Sequence, residues 1–138
     1  MLNIEGMGMK INRLCVSNFM VFNDLDIEFS DNINIISGEN STGKTALIKL
    51  LYTSLKTCSK AYSSNNTHSK EELESAMVSK FQGIFMPDNG AIGRLVNRHR
   101  GNNSTDVRIF LSNKDDIRFG FSNKHSKHID IKHMGIKG

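Results

Sequence analysis

The chain has 138 residues, 38% of them apolar and 23% charged, with a formal net charge of +4; this allows one domain or part of one and excludes a disordered chain. No run of about 18 apolar residues occurs and the first residues lack a basic-then-apolar leader, so neither a membrane span nor secretion is expected, and the cytoplasm is the expected location. Cys15 and Cys58 stand apart without metal-ligand spacing and read as reduced packing residues.

Residues 1–8 read as an extension ahead of the structured start. In MKINRLCVS, residues 9–17, Ile11, Arg13, Cys15 and Ser17 alternate with Asn12, Leu14 and Val16, which predicts a short strand partly covered on both faces. NDLDIEF, residues 23–29, puts Leu25, Ile27 and Phe29 on one face and Asp24, Asp26 and Glu28 on the other, the pattern of a half-buried strand. INIIS, residues 33–37, is a β-branched run expected as a buried central strand. Ala46, Leu47, Ile48, Leu50, Leu51, Tyr52 and Leu55 then predict a helix apolar on most sides, ending near Thr57 and packed inside an α/β layer.

Residues 59–69 read as a polar loop that closes at Ser69, three residues before Glu72, a capping box opening a second helix with a Leu73, Met77, Phe81 stripe. PDNG, residues 87–90, is a turn. GRLVNR, DVRIFL and IRFGF predict an antiparallel β segment over about residues 93–122, with Val107, Ile109, Leu111, Ile117, Phe119 and Phe121 facing one way. HRGNNST and SNKDD have the length and composition of hairpin connections. Residues 123–138 are expected as an exposed tail, and its His125, His128 and His133 are not read as a metal cluster.

Charge is uneven: residues 1–58 carry five basic and six acidic side chains, and residues 59–138 carry thirteen and eight. Arg94, Arg98, Arg100, Arg108 and Arg118 could track nucleic-acid phosphates, which makes DNA a candidate partner. The interspersed Asp106, Asp115 and Asp116 favour a solvated charged face instead.

The chemistry concentrates in IISGENSTGKTALIKLLY, residues 35–52, where Gly38, Gly43, Lys44 and Thr45 fit G-x-x-x-x-G-K-[ST] between an expected strand and an expected helix. Glycines there let the backbone approach a phosphate and turn successive N–H groups inward, and the amides of Asn40, Ser41, Thr42 and Ala46 are candidate donors. Lys44 supplies a cation for the β and γ phosphates, Thr45 a hydroxyl for Mg²⁺, and the helix N-terminus adds its own positive end.

With these residues in view, residues 11–52 resemble the N-terminal segment of the RecF/SMC-type branch of ABC ATPases, which includes the ATPase half of OLD-family nucleases and related bacterial defence ATPases. The resemblance rests on the pair Asn18-Phe19 followed by Gly38, Asn40, Gly43, Lys44 and Thr45, and it extends more weakly over residues 9–122. It implies an α/β fold with an α+β edge: the N-terminal lobe of a P-loop NTPase, strand, P-loop and helix beside an antiparallel β segment. It also implies ATP and Mg²⁺ as ligands.

Two departures limit what the resemblance carries. Met20 stands where many relatives have Arg or Lys. Among the 138 residues there is also no apolar strand ending in Asp-Glu, no Leu-Ser-Gly-Gly-like signature and no switch histidine, while the single glutamine, Gln82, precedes the β segment. Catalytic residues are therefore unassigned, with Asp88, Asp106, Asp115 and Asp116 the first carboxylates to examine. One reading is the nucleotide-binding lobe of an ATPase acting in DNA repair or defence, partnered by the remainder of its domain or a second subunit. The other is a self-contained binding module without catalysis.

Overall fold

One long strand organises the chain. β2, Met9–Phe19, offers two backbone edges, and three strands take them, all antiparallel. β1, Leu2–Ile4, pairs along its first residues, and β3, Phe22–Glu28, runs along the same edge from Arg13 to Phe19. β4, Ser104–Leu111, occupies the opposite edge. β5, Asp116–Ser122, pairs with β4, and β6, Asp130–Met134, with β5, giving a sheet of six strands among the described residues. The computed structural model describes residues 2–4, 9–29, 43–63, 69–97, 103–112, 114–125 and 127–134.

A bulge explains how β2 serves the core. Ile11 pairs with Leu111 and Arg13 with Phe110, so Asn12 is an extra residue on β2. Its carbonyl accepts the Phe29 N–H at 2.9 Å. The bulge shifts the alternation by one, and Ile11 joins Leu14 and Val16 in the core instead of sharing a face with Arg13, as strict alternation predicts.

At the far end of β2, Asn18 adopts φ 55° and Met20 φ 50°. Asn tolerates this left-handed region better than most side chains, which gives the Asn-Phe pair a physical meaning. The turned Asn18 carbonyl accepts the Asn97 N–H at 2.8 Å and the Thr105 hydroxyl at 2.6 Å. Phe19 then drops fully into the core, edge-on to Phe85 and Phe121.

α1, Lys44–Ser63, and α2, Lys70–Phe85, pack against each other and share the core with the inner face of the sheet. On α1, Leu47, Leu50 and Leu51 are buried, and buried Thr53, Ser54 and Thr57 return their hydroxyls to carbonyls four residues earlier. Ser69 caps α2 as expected, accepting the Glu72 N–H at 3.2 Å. Met77 and Phe81 are fully buried, and Phe81 meets Phe85, Phe119 and Phe121.

Several expectations are corrected. Leu2–Ile4 pairs with β2 although residues 1–8 read as an extension, and α1 runs to Ser63, beyond the expected end near Thr57. GRLVNR is not a strand: Ile92–Leu95 forms a 3-10 turn, and only Val96 bridges to Phe19. The regular antiparallel segment therefore starts at Ser104, with β4 beside β2, and residues 99–102 of HRGNNST lie outside the described residues. Residues 123–138 are not simply a tail: they contain β6, with Ile129 and Ile131 buried. INIIS, residues 33–37, lies outside the described residues.

Candidate nucleotide-binding site

The glycine-loop motif enters the described structure at its last glycine. Gly38, Asn40, Ser41 and Thr42 lie outside the described residues; Gly43, Lys44, Thr45 and Ala46 lie inside. Gly43 has φ +83°, where an L side chain is strained. Space is also closed there: a Cβ on Gly43 would stand 2.5 Å from Val21 Cγ2 and 2.8 Å from Phe22 Cζ. The β2–β3 turn thus presses on the loop exit, and glycine is required by conformation and by packing.

The helix that follows begins at once. The Leu47 N–H donates to the Gly43 carbonyl at 3.0 Å as the first helical bond, and α1 starts at Lys44. Helical geometry aims first-turn amides out of the N-terminal end, toward any phosphate held by the loop. The first turn holds no acidic residue to oppose an anion. Lys44 is half-buried, Thr45 is exposed, and the Ala46 side chain is buried in the core, so Ala46 can offer only its backbone to a ligand.

The structure brings Val21 and Phe22 to the loop, which sequence reading missed. Their signal was faint: a two-residue turn, Met20 and Val21, between paired Phe19 and Phe22. Met20 and Val21 are exposed on this turn.

Other candidates fall elsewhere. Gln82 donates to the Gly90 carbonyl at 2.9 Å and closes the turn after α2, a structural task. Asp88 is exposed at that turn. His125, His128 and His133 do not gather: His128 lies by Glu74 and Asp130, and His133 by Asp115 and Asp116.

On the outer face of the sheet, charges are paired rather than arrayed as a row of cations. Arg13 forks onto Asp26, Arg108 Nε donates to Asp116 at 2.8 Å, and Asp106 draws Lys132 to 3.0 Å and Arg118 to 3.9 Å. Arg13 and Arg108 also lie over the Phe110 ring, at 5.5 and 4.5 Å from its centroid. Arg13 holds the Asp26 carboxyl below the usual carboxylate range by hydrogen bond, and Lys70 does the same to Asp130. Arg94 is exposed on its 3-10 turn, while Arg98 and Arg100 lie outside the described residues. Arg108 and Arg118 are therefore part of an ion-paired face among the described residues.

Residues 13–138 match the family model described as AAA domain. The chain is similar to the DNA replication and repair protein RecF of Halalkalibacterium halodurans, 33% identical over 85 residues, which is 61% of this chain and 22% of that protein. It is similar to the structural maintenance of chromosomes protein 6A of Arabidopsis thaliana, 45% identical over 42 residues, covering 30% of this chain and 4% of that one. RecF of Actinobacillus pleuropneumoniae is 41% identical over 44 residues, 32% of this chain and 12% of that protein. The matched stretches span at most 22% of these relatives. No solved structure matches the chain.

Proposed function

The chain belongs to the AAA domain family as an N-terminal lobe of the RecF/SMC type, and from that membership we propose that residues 38–46 bind the triphosphate of Mg²⁺-ATP. The observation that carries this is Gly43 at φ +83°, walled by Val21 and Phe22 and opening directly into α1 at Lys44. That placement suits a backbone that must turn its amides toward an anion. Lys44 neutralises the terminal phosphates, the exposed Thr45 hydroxyl ligates Mg²⁺, and the amides of Gly38, Asn40, Ser41, Thr42, Gly43 and Ala46 complete the cradle. The metal supplies charge neutralisation across the phosphates.

The whole protein is proposed to be an ATPase in DNA repair or chromosome maintenance, after the names of its relatives. DNA is assigned to that whole protein, since the outer sheet face of this lobe is ion-paired. α1 supports the need for a further partner: Ile48 and Tyr52, one turn apart, are about half exposed on the P-loop helix. The remainder of the ATPase domain, or a second subunit, covers this stripe in the proposed assembly.

Binding without turnover is the expected behaviour of this chain alone. Hydrolysis needs a base to orient water and charge stabilisation opposite the loop, and the 138 residues carry no matching motif for either. Titration with a fluorescent ATP analogue and Mg²⁺ tests binding, with Lys44→Ala expected to lose about 1.5–3 kcal/mol for each charged hydrogen bond removed. Single-turnover hydrolysis tests the second half. A Lys44-dependent rate of about 1 per minute or more, far above uncatalysed hydrolysis, would show that a catalytic carboxylate is present.

A further inference from the structure

At the end of the sheet where β4 turns into β5, two carboxylates and one imidazole converge. Asp115 precedes β5, Asp116 opens it, and His133 lies on β6. His133 Nε2 is 2.8 Å from Asp115 Oδ1 and 3.6 Å from Asp116 Oδ1. We propose that these three side chains form a divalent transition-metal site of the Zn²⁺ class.

The three side chains offer one nitrogen and two carboxylate oxygens within 4.8 Å of one another. Arg108 engages Asp116 through Oδ2, at 2.8 Å, and leaves Oδ1 toward the histidine. Tetrahedral Zn–N and Zn–O bonds of about 2.0–2.2 Å place neighbouring ligand atoms roughly 3.3–3.6 Å apart. The 3.6 Å spacing of His133 and Asp116 already matches, and the 2.8 Å hydrogen bond between His133 and Asp115 opens by about half an ångström to admit the ion. When the ion enters, the Nε2 lone pair and the two Oδ1 atoms become ligands, any Nε2 proton leaves to solvent, and water fills the remaining positions.

The supporting shell is built into the sheet. The Asp115 carbonyl accepts the Leu111 N–H at 2.9 Å, and its Oδ1 accepts the Asp116 N–H at 2.8 Å. Asp116 is in register with Phe110 and His133 with Arg118, so all three backbones are fixed by strand pairing or a tight turn. Arg108 acts as an outer partner that orients Asp116 and offsets part of the ligand charge. One imidazole with two carboxylates suits Zn²⁺ better than Mg²⁺, which prefers oxygen and water.

A second group, Glu74, His128 and Asp130, provides the contrast. Its Glu74 Oε2 already accepts the Ile131 N–H at 2.8 Å, and the Lys70 ammonium sits 3.0 Å from Asp130. Each group thus has one basic side chain beside it, Arg108 at Asp116 and Lys70 at Asp130, but in the second the buried Glu74 carboxylate is committed to the backbone of β6.

The test is Zn²⁺ titration of the chelator-treated 138-residue chain by calorimetry, in excess Mg²⁺, beside His133→Ala, Asp116→Asn and Glu74→Gln. One equivalent should bind to the wild type, more than about tenfold weaker in the first two variants, and unchanged in Glu74→Gln. In the wild type, nitrogen NMR should show the His133 imidazole shifting on saturation, a readout that holds even if a variant fails to fold. Absence of binding, retention in His133→Ala, or shifts confined to His128 would overturn the assignment.

Discussion

Replacing Gly43 with alanine separates the two reasons for glycine at the loop exit. A left-handed backbone costs an L residue about 1–2 kcal/mol. Overpacking adds about 1–3 kcal/mol, because the new Cβ lies 2.5 Å from Val21 Cγ2 and 2.8 Å from Phe22 Cζ. Val21 is 58% exposed and can swing away, whereas Phe22 is half-buried against the core and yields less. The expected loss is therefore in the lower half of the combined range, about 2–3 kcal/mol. Urea unfolding of wild type, Gly43→Ala, Val21→Ala and the double variant measures it. The cost of Gly43→Ala should fall by at least about 0.5 kcal/mol in the Val21→Ala background, the coupling expected of touching residues. A Gly43→Ala protein as stable as wild type, or a penalty unchanged by Val21→Ala, would refute the packing described here.

Phe81→Ala should destabilise the chain by about 3–5 kcal/mol, since Phe81 is fully buried among three other aromatic rings; urea unfolding midpoints check it. Stability should also decline in acid. Asp26 and Asp130 are held below their usual values by Arg13 and Lys70, so their contribution is complete above the unfolded carboxylate pKa, about 4, and is lost as pH falls through the lower folded values. Both pairs are solvent-exposed, so the effect is small. A Lys70→Ala chain should show a flatter acid limb in unfolding midpoints measured against pH.

How much of this was legible follows from which signals are local. The Ser69–Glu72 cap and the alternation of Val107, Ile109 and Leu111 depend on neighbouring residues, and both appear as expected. Ile92, Leu95 and Val96 carry helical spacing, which the strand reading of GRLVNR overlooked, and all three are buried around the 3-10 turn. The Asn12 bulge and the left-handed Asn18 answer to partners about 90 residues away, Leu111 and Thr105, so no local pattern announces them. β6 offers two apolar residues, Ile131 and Met134, amid His, Lys and Asp, and becomes a strand because β5 needs a neighbour. α1 extends beyond Thr57 because serine and lysine weaken a helix only mildly once its core face is packed. At the candidate site, the helix that the motif leads one to expect does begin at Lys44, while the wall of Val21 and Phe22 against Gly43 comes from the β2–β3 turn.

The central claim, that the loop around Gly43 and the start of α1 cradle a triphosphate, is tested most directly by backbone amide NMR of the chain titrated with Mg²⁺-ATP. Residues 38–46 should show the largest shifts, saturating together in wild type and vanishing in Lys44→Ala. Shifts absent from this segment, centred on another surface, or equal in Lys44→Ala would contradict the account.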